Sequence, residues 1–186
     1  MREIEIKLKV NNLDEIEEKL KQQGCVFSES VTQYDVVYSS IQNTEPYDKI
    51  GGVGYVAIRI RHQNNAVTLT LKKQQSHEMD NLEYESEIEN PKDIHEMLLI
   101  LGWKPEVEVK KTRKKGTLGE YEVCLDRVEK LGDYLELEKL TDDNIDAEEV
   151  RKEFLEILKP LGLSEKDEEK SGYDTLMWAL NNRKNN

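Results

Sequence analysis

Ionisable side chains stand at every second position in several stretches of this chain, and together they could form a site for a polyanion. The opening sequence Glu3-Ile4-Glu5-Ile6-Lys7 sets the pattern, in which charged and aliphatic residues alternate with the period of a β-strand. Basic residues recur at similar spacing at Arg59, Arg61, Lys72, Lys111 and Arg113. Further acidic residues occupy comparable positions at Glu85, Glu87, Asp126, Glu136 and Glu138.

The chemistry that this combination favours is metal-assisted binding of phosphates. Enclosed basic side chains repel one another, and desolvating each unpaired charge costs several kcal/mol, so acids and a polyanion must offset the charge. There are more carboxylates than the lysines and arginines need, which indicates a divalent cation, Mg²⁺ or Mn²⁺, because both prefer oxygen ligands. Basic residues on one side and a carboxylate-bound metal on another are the usual arrangement around a triphosphate.

The elements that must position these residues are strands with one charged and one aliphatic face. We predict eight clear strands, over residues 2–10, 32–39, 55–62, 66–73, 82–88, 104–114, 118–127 and 134–140. A weaker strand is predicted at 25–28, and a turn at Lys115-Gly116.

Amphipathic stretches between the strands predict four helices, near residues 13–23, 91–101, 147–161 and 173–182. Asn12 is the expected N-cap of the first helix, and Pro91 opens the second. The glycine-containing stretch 40–54 is predicted to be a flexible connection, with a lid over a ligand as the alternative. The acidic stretch 164–170 is predicted to be a solvated loop.

Two arrangements of these strands fit the alternation. In one, the aliphatic faces form the centre and the charged faces form a salt-bridged outer surface. In the other, the charged faces line a closed antiparallel barrel of about eight strands, and the helices cover its aliphatic outside. Six strands carry two or more ionisable groups on one face, and the helices need an apolar surface. We therefore predict the barrel, an α+β fold, as a single domain over residues 1–186.

An internal repeat is visible when the chain is shifted by about 78 positions. The shift places Gly24 on Gly102 at the ends of two predicted helices, and Asp35 on Arg113 in two predicted strands. Each copy has the order strand, helix, strand. Chance similarity between two amphipathic units is the alternative explanation. If the repeat is real, two related half-barrels face each other.

Composition restricts the function classes. The chain has 186 residues, a net charge of −12 and a pI near 4.9, which disfavours binding to nucleic acid. No apolar run approaches the ~20 residues of a membrane span, and no secretory signal is visible, so we expect neither membrane insertion nor export. Cys25 and Cys124 predict neither a disulfide framework nor a zinc site. We expect an intracellular, cytoplasmic protein.

The ordered set of motifs resembles the CYTH superfamily, also called triphosphate tunnel metalloenzymes. Glu3-Ile4-Glu5-Ile6-Lys7 is similar to the Glu-x-Glu-x-Lys signature that opens the family. Five later segments of this chain are similar, in the same order, to the later motifs of the family: Arg59-Ile60-Arg61, Thr70-Leu71-Lys72, Lys111-Thr112-Arg113, Leu125-Asp126 and Leu135-Glu136-Leu137-Glu138. The resemblance covers nearly the whole chain and is most similar to the class IV adenylyl cyclase-like branch.

The resemblance implies a role for each matching residue. The phosphates would be bound by Lys7, Arg59, Arg61, Lys72, Lys111 and Arg113. One or two Mg²⁺ or Mn²⁺ ions would be held by Glu3, Glu5, Asp126, Glu136 and Glu138. Glu85 and Glu87 are possible additional tunnel acids, with a structural partnership to the basic residues as the alternative. Ser171-Gly172-Tyr173 resembles the family's closing segment, which we expect to cap a helix.

Two reactions fit such a tunnel. A cyclase would convert ATP to cyclic AMP and pyrophosphate, and a triphosphatase would hydrolyse tripolyphosphate, thiamine triphosphate or a nucleoside triphosphate. A non-catalytic module that binds polyphosphate or nucleotides is a third possibility, although it does not need the carboxylates. We expect the cyclase, with an alkaline pH optimum because attack by a hydroxyl benefits from deprotonation. A homodimer is expected from the resemblance.

Overall fold

The computed structural model describes residues 2–142 and 144–183, which form nine strands and four helices. The strands are β1 (Arg2–Val10), β2 (Val26–Phe27), β3 (Val31–Ser40), β4 (Val56–Gln63), β5 (Ala66–Gln74), β6 (Asp80–Glu87), β7 (Trp103–Leu118), β8 (Tyr121–Val128) and β9 (Gly132–Thr141). The helices are α1 (Leu13–Gln22), α2 (Pro91–Ile100), α3 (Ala147–Leu158) and α4 (Tyr173–Arg183).

Eight strands close into an antiparallel barrel, in the order β7-β3-β4-β5-β6-β1-β9-β8, and pairing of β8 with β7 completes the ring. The short strand β2 adds to the outside of β7. The α+β barrel prediction is therefore confirmed. The ring order has an internal symmetry, as expected for two related half-barrels. It stays the same when β1 is exchanged with β6, β3 with β7, β4 with β8 and β5 with β9.

The aliphatic face of β1 points outward and forms part of the core beneath the helices. Ile4, Ile6 and Leu8 of β1 are at most 1% exposed and pack with residues of α1 and α3, including Leu20 and Phe154. Burying each such side chain stabilises the fold by roughly 1.5–3 kcal/mol. Because adjacent residues of a strand point to opposite faces, this packing turns the charged residues of β1 into the barrel.

The remaining helices cover other parts of the barrel. A separate cluster packs α4 against β7 around Met177 and Val107, and a smaller one packs α2 around Leu98. The helix starts follow the expected capping rules, since the Asn12 side chain accepts a hydrogen bond from the Glu15 amide at 3.2 Å and Pro91 opens α2. No helix in the described part of the chain is long and apolar enough to cross a membrane.

The predicted turn at Lys115-Gly116 is wrong, because β7 continues to Leu118 and the chain turns at Gly119, where φ is +62°. Gly116 has a different role. A Cβ atom added there would lie 2.7 Å from the Phe27 ring and 2.8 Å from the Cys25 Sγ atom. The glycine therefore allows the segment that carries β2 to lie close against β7.

The predicted solvated loop 164–170 is more ordered than expected. Residues Glu165–Asp167 form a 3₁₀ turn, and the Ser164 side chain accepts a hydrogen bond at its start. Glu168 then forms a bridge with Leu8 of β1 and binds Arg151 of α3 at 2.6 Å. The segment thus connects α3 to the barrel rather than standing free in solvent.

Candidate active site

A cavity of about 900 Å³ runs through the barrel and collects most of the charged residues that the sequence analysis singled out. All six predicted phosphate-binding residues line it: Lys7, Arg59, Arg61, Lys72, Lys111 and Arg113. Five predicted acids also line it: Glu3, Glu5, Glu85, Glu136 and Glu138. The charged faces of the strands therefore enclose a cavity.

Two predicted acids take other positions. Asp126 is fully buried beneath the basic side chains that line the cavity, and its carboxylate accepts hydrogen bonds from Lys111 and Arg113. Its predicted role as a metal ligand stays a prediction. Glu87 is exposed near the end of β6 and is absent from the cavity lining, among the residues that the structure describes.

Arg61 and Arg59 of β4 share a buried aspartate. The Arg61 guanidinium donates two hydrogen bonds to Asp35 of β3, each 2.7 Å long. Arg59 lies farther from its acids, at 3.9 Å from Asp35 and 3.7 Å from Glu83. Burial raises the pKa of Asp35, but the hydrogen bonds from Arg61 and the charge of Arg59 outweigh this effect and lower it to about 2. Asp35 is therefore ionised and holds this basic pair in place.

Lys72 of β5 lies between two glutamates of neighbouring strands. Its Nζ atom is 2.9 Å from Glu3 Oε1 and 2.7 Å from Glu83 Oε2. Burial disfavours charge at both partners, yet Lys72 lowers the pKa of Glu3 to about 2, and the glutamates raise the pKa of Lys72 well above its ordinary value. The lysine is thus charged and directed into the cavity.

On the opposite wall, Asp126 binds both basic residues of β7. Its carboxylate accepts hydrogen bonds from Lys111 at 2.8 Å and from Arg113 at 2.8 and 2.6 Å. Arg113 also donates to Glu136 and, at 3.3 Å, to Glu138. Burial and the neighbouring Arg113 lower the pKa of Lys111. The guanidinium of Arg113 is therefore the centre of a buried network of three carboxylates.

Three glutamates of adjacent strands form a compact group of oxygen ligands. One carboxylate oxygen from each of Glu5, Glu136 and Glu138 lies within 4.8 Å of the other two. The strand register causes this, since Glu5 pairs with Glu138, and Lys7 pairs with Glu136. Such hard oxygen ligands fit Mg²⁺ or Mn²⁺.

The raised pKa values of two of these glutamates, Glu5 and Glu138, indicate a local deficit of positive charge. Burial and the neighbouring Glu136 raise the pKa of Glu5 to about 7, and burial raises the pKa of Glu138 well above its ordinary value. At Glu136 burial acts in the same direction, but Arg113 outweighs it and lowers the pKa. A divalent cation would supply the missing charge, so the residues present fit the predicted metal.

One end of the cavity is covered by α4 and the segment before β4. Tyr47 donates a hydrogen bond of 2.5 Å to Asp174, and the Gly172 amide donates one of 2.6 Å to Glu78. The side chains that line this end include the acids Glu78 and Asp174 and the less polar residues Val37, Tyr47, Ile50, Tyr55, Ala57, Met79 and Tyr173. The stretch predicted as a connection or lid therefore forms part of the cavity wall, with a 3₁₀ turn at Tyr47–Lys49.

Several residues of the site were not predicted as functional. Asp35 and Glu83 stand at inward positions of strands whose neighbours were chosen, so the alternation itself could have identified them. Lys115 and Glu122 also line the cavity, but Lys115 had been assigned to a turn. Tyr173 is separated in sequence from the last barrel strand, β9, by α3 and the segment after it, so only the tertiary fold brings it to the barrel.

Comparisons with known proteins agree with this geometry. A family model described as the CYTH domain matches residues 1–173. A protein of Methanocaldococcus jannaschii, provisionally named an adenylate cyclase, is 30% identical over 167 residues, which cover 88% of this chain and 91% of the relative.

Solved structures share the fold. The PH1012 protein of Pyrococcus horikoshii OT3 is 30% identical, with a TM-score of 0.77 and coverage of 94% of this chain and 98% of that one. HpAC1 from Hippeastrum, a provisionally named adenylyl cyclase with a dominant triphosphatase activity, is 18% identical, with a TM-score of 0.60 and coverage of 92% and 90%. The family match and the M. jannaschii relative show that this chain belongs to the CYTH domain family.

Proposed function

We propose that this protein is a metal-dependent enzyme that binds a triphosphate inside its barrel and converts ATP to cyclic AMP and pyrophosphate. The observation that carries the proposal is the convergence of six basic side chains and a group of carboxylates on one enclosed cavity. Such a combination is suited to a polyanion that arrives with a divalent cation.

The basic residues are proposed to bind the phosphates from opposite walls. Arg59, Arg61 and Lys72 project from β4 and β5, whereas Lys111 and Arg113 project from β7. In the absence of substrate, their positive charge is offset by acids such as Asp35 and Asp126. Phosphate oxygens can replace part of these contacts, because arginine and lysine bind phosphate and carboxylate in similar ways.

The metal is proposed to be Mg²⁺ or Mn²⁺, held by Glu5, Glu136 and Glu138, with Glu3 beside them and Asp126 as a further predicted ligand. A bound divalent cation would polarise phosphoryl oxygens and lower the pKa of the attacking hydroxyl. The protein's own contribution is to hold the triphosphate in one orientation, which keeps the 3′-hydroxyl and the α-phosphorus of the same molecule close and aligned.

In the proposed reaction, the ribose 3′-oxygen forms a bond to the α-phosphorus. The bond between that phosphorus and the oxygen bridging to the β-phosphorus breaks, and pyrophosphate leaves with both electrons of that bond. The proton of the 3′-hydroxyl passes to solvent. No oxidant, reductant or second substrate is required.

An organic triphosphate is favoured over inorganic tripolyphosphate by the size and lining of the cavity. A volume of about 900 Å³ falls in the range of pockets that enclose a drug-sized ligand. At the end covered by α4, Val37, Ile50, Tyr55 and Ala57 offer apolar surface for a group beyond the phosphates. The name of the M. jannaschii relative supports ATP as that substrate.

Hydrolysis of a triphosphate is the second candidate, because the same fold occurs in HpAC1, for which a dominant triphosphatase activity is described. Binding of the phosphates would be similar, and only the nucleophile would differ, with water attacking the terminal phosphorus.

The test is to incubate the protein separately with ATP, tripolyphosphate and thiamine triphosphate, each with Mg²⁺ or Mn²⁺, and to follow products by ³¹P NMR and chromatography. Cyclic AMP and pyrophosphate in equal amounts are the expected products of ATP. Released orthophosphate would assign the protein as a triphosphatase instead. Binding without turnover would indicate a non-catalytic module and would contradict the proposed enzyme.

A further inference from the structure

Tyr173, the first residue of α4, forms part of the cavity wall at the covered end of the barrel. The ammonium groups of two predicted phosphate-binding residues lie against its ring. Lys7 Nζ is 4.5 Å from the ring centroid, and Lys111 Nζ is 4.7 Å from it. These lysines come from β1 and β7, so a single aromatic side chain contacts cations from two walls.

Lys7 differs from the other cavity lysines in its partners. It is 1% exposed, and no salt bridge is found for it among residues 2–142 and 144–183. Lys72 has two glutamates, and Lys111 has Asp126. The ring of Tyr173 therefore provides a specific contact for an ammonium group that has no salt bridge in the described part of the chain. Desolvated ammonium groups interact strongly with aromatic faces, because the ring carries a negative quadrupole.

We propose that Tyr173 is a positioning residue for the phosphate-binding lysines, an inference that rests on the proposed function. Its ring holds the ammonium groups of Lys7 and Lys111 at the cavity surface. A carboxylate in this place would form an ion pair that the substrate must break. The neutral ring attracts the cations without cancelling their charge, so it leaves Lys7 available to the phosphates, while Lys111 is also paired with Asp126.

The surrounding structure holds the Tyr173 ring in one position. The ring contacts Tyr134 edge to face, with centroids 5.1 Å apart. On either side of it in sequence, the Gly172 amide is bound by Glu78, and Asp174 accepts a hydrogen bond from Tyr47. The start of α4 is thus connected to both the β5–β6 loop and the segment before β4, which fixes the ring against the cavity.

The test compares two substitutions at the same position. Tyr173→Phe keeps the ring, whereas Tyr173→Leu keeps apolar volume but removes the quadrupole. Affinity for tripolyphosphate is measured by calorimetry, with a chelator present so that no metal contributes. We expect binding by Tyr173→Leu to be weakened by roughly tenfold, the size of a desolvated cation–π contact, and binding by Tyr173→Phe to stay within about threefold.

Tyr121→Leu is the matched control, because Lys139 Nζ lies 5.3 Å from the Tyr121 ring on the outside of the barrel. It removes a similar contact and should lower the melting temperature without changing tripolyphosphate affinity.

A double-mutant cycle with Lys7→Met adds a measurement that would show no coupling if Tyr173 had only a structural role. Tyr173→Leu should weaken binding much less in the Lys7→Met background than in the native protein.

The outcomes separate this inference from the proposed function. If the native protein binds tripolyphosphate and Tyr173→Leu binds it equally well, the positioning role is wrong and the proposed function stands. Equal losses from Tyr173→Leu with and without Lys7 would also overturn the positioning of Lys7. A native protein that fails to bind tripolyphosphate without metal would overturn the positioning role, whereas the proposed function is tested separately by turnover of ATP with Mg²⁺ or Mn²⁺.

Discussion

Buried aspartates keep the basic side chains of the barrel in place, and Asp35 is the one whose effect on stability can be followed by pH. Its carboxylate is 5% exposed and bonded twice to Arg61. Its pKa is about 2 in the folded protein, against about 3.9 in an unfolded chain. Asp35 therefore stabilises the fold above pH 4, and this contribution is lost as pH falls from about 4 to 2.

We predict that Asp35→Asn lowers the unfolding free energy by about 2–3 kcal/mol at pH 7, as the difference in pKa requires. The difference from the native protein should shrink as pH falls toward 2. Denaturant unfolding at several pH values measures both effects. The control is Asp14→Asn, because Asp14 pairs with Arg127 in solvent and such exposed pairs contribute little. A pH-independent difference for Asp35→Asn would contradict the account.

Glu136 belongs to both the carboxylate group and the Arg113 network, and its loss should affect activity more than folding. We predict that Glu136→Gln lowers metal-dependent turnover at least about 100-fold, because a charged metal ligand is removed. The fold should persist, since Arg113 keeps Asp126 and Glu138 as partners. Turnover, circular dichroism and Mn²⁺ binding measure these effects.

The matched control for that substitution is Glu108→Gln, on the exposed outer face of β7. It removes the same charge without touching the cavity, and turnover should be unchanged. Native activity and native Mn²⁺ affinity in Glu136→Gln would show that this glutamate does not hold the metal.

At the scale of elements, the close contact between β7 and the β2 segment depends on Gly116. We predict that Gly116→Ala destabilises the protein by about 1–3 kcal/mol, because its Cβ atom would overlap the Phe27 ring and the Cys25 sulfur. Thermal unfolding measures the loss. Gly51→Ala is the control, since the nearest atom to its added Cβ is the Gln74 side-chain oxygen at 3.8 Å. Equal stability of the two variants would contradict this role.

Most elements could be predicted from the sequence because alternation and capping are local signals. The alternation of Glu3, Glu5 and Lys7 with Ile4 and Ile6 predicted both the strand and its inward face. The turn at Lys115-Gly116 could not be recognised as wrong, because the reason for the glycine is a ring contributed by a distant segment. The φ angle that a glycine adopts can often be predicted from neighbouring residues, but the distant side chain that packs against it cannot.

The candidate site likewise has features that could be predicted from the sequence and features that could not. The six cations share a strand period, so the sequence placed them on one face, and the structure brings all of them to the cavity. Which acid pairs with which base could not be predicted in this way, because the pairing depends on the register of the strands. Asp126 faces Arg113 directly across the β7–β8 pair, and this arrangement, rather than its residue type, determines that it binds basic side chains here.

Across the whole molecule, the two half-barrels carry equivalent ion pairs with reversed charge. Asp35 of β3 pairs with Arg61 of β4, whereas Arg113 of β7 pairs with Asp126 of β8. The repeat in the sequence places Asp35 on Arg113, so the acid and the base have exchanged strands. Each half therefore supplies an arginine held by an aspartate, and the two guanidinium groups reach the cavity from different walls.

The net charge of −12 does not exclude a local group of lysines and arginines inside the barrel. The cavity lining brings seven lysines and arginines together, but eleven acidic residues line it as well. Because acids outnumber bases in this lining, the proposed binding of a polyanion needs the positive charge that a divalent cation would add.

The most direct test of the account is a crystal structure of the protein with Mn²⁺ and an ATP analogue that cannot be cleaved. We predict density for the triphosphate inside the barrel, in contact with Arg59, Arg61, Lys72, Lys111 and Arg113, and Mn²⁺ beside Glu5, Glu136 and Glu138. A triphosphate bound only on the outer surface, with the cavity free of both nucleotide and metal, would contradict the central claim.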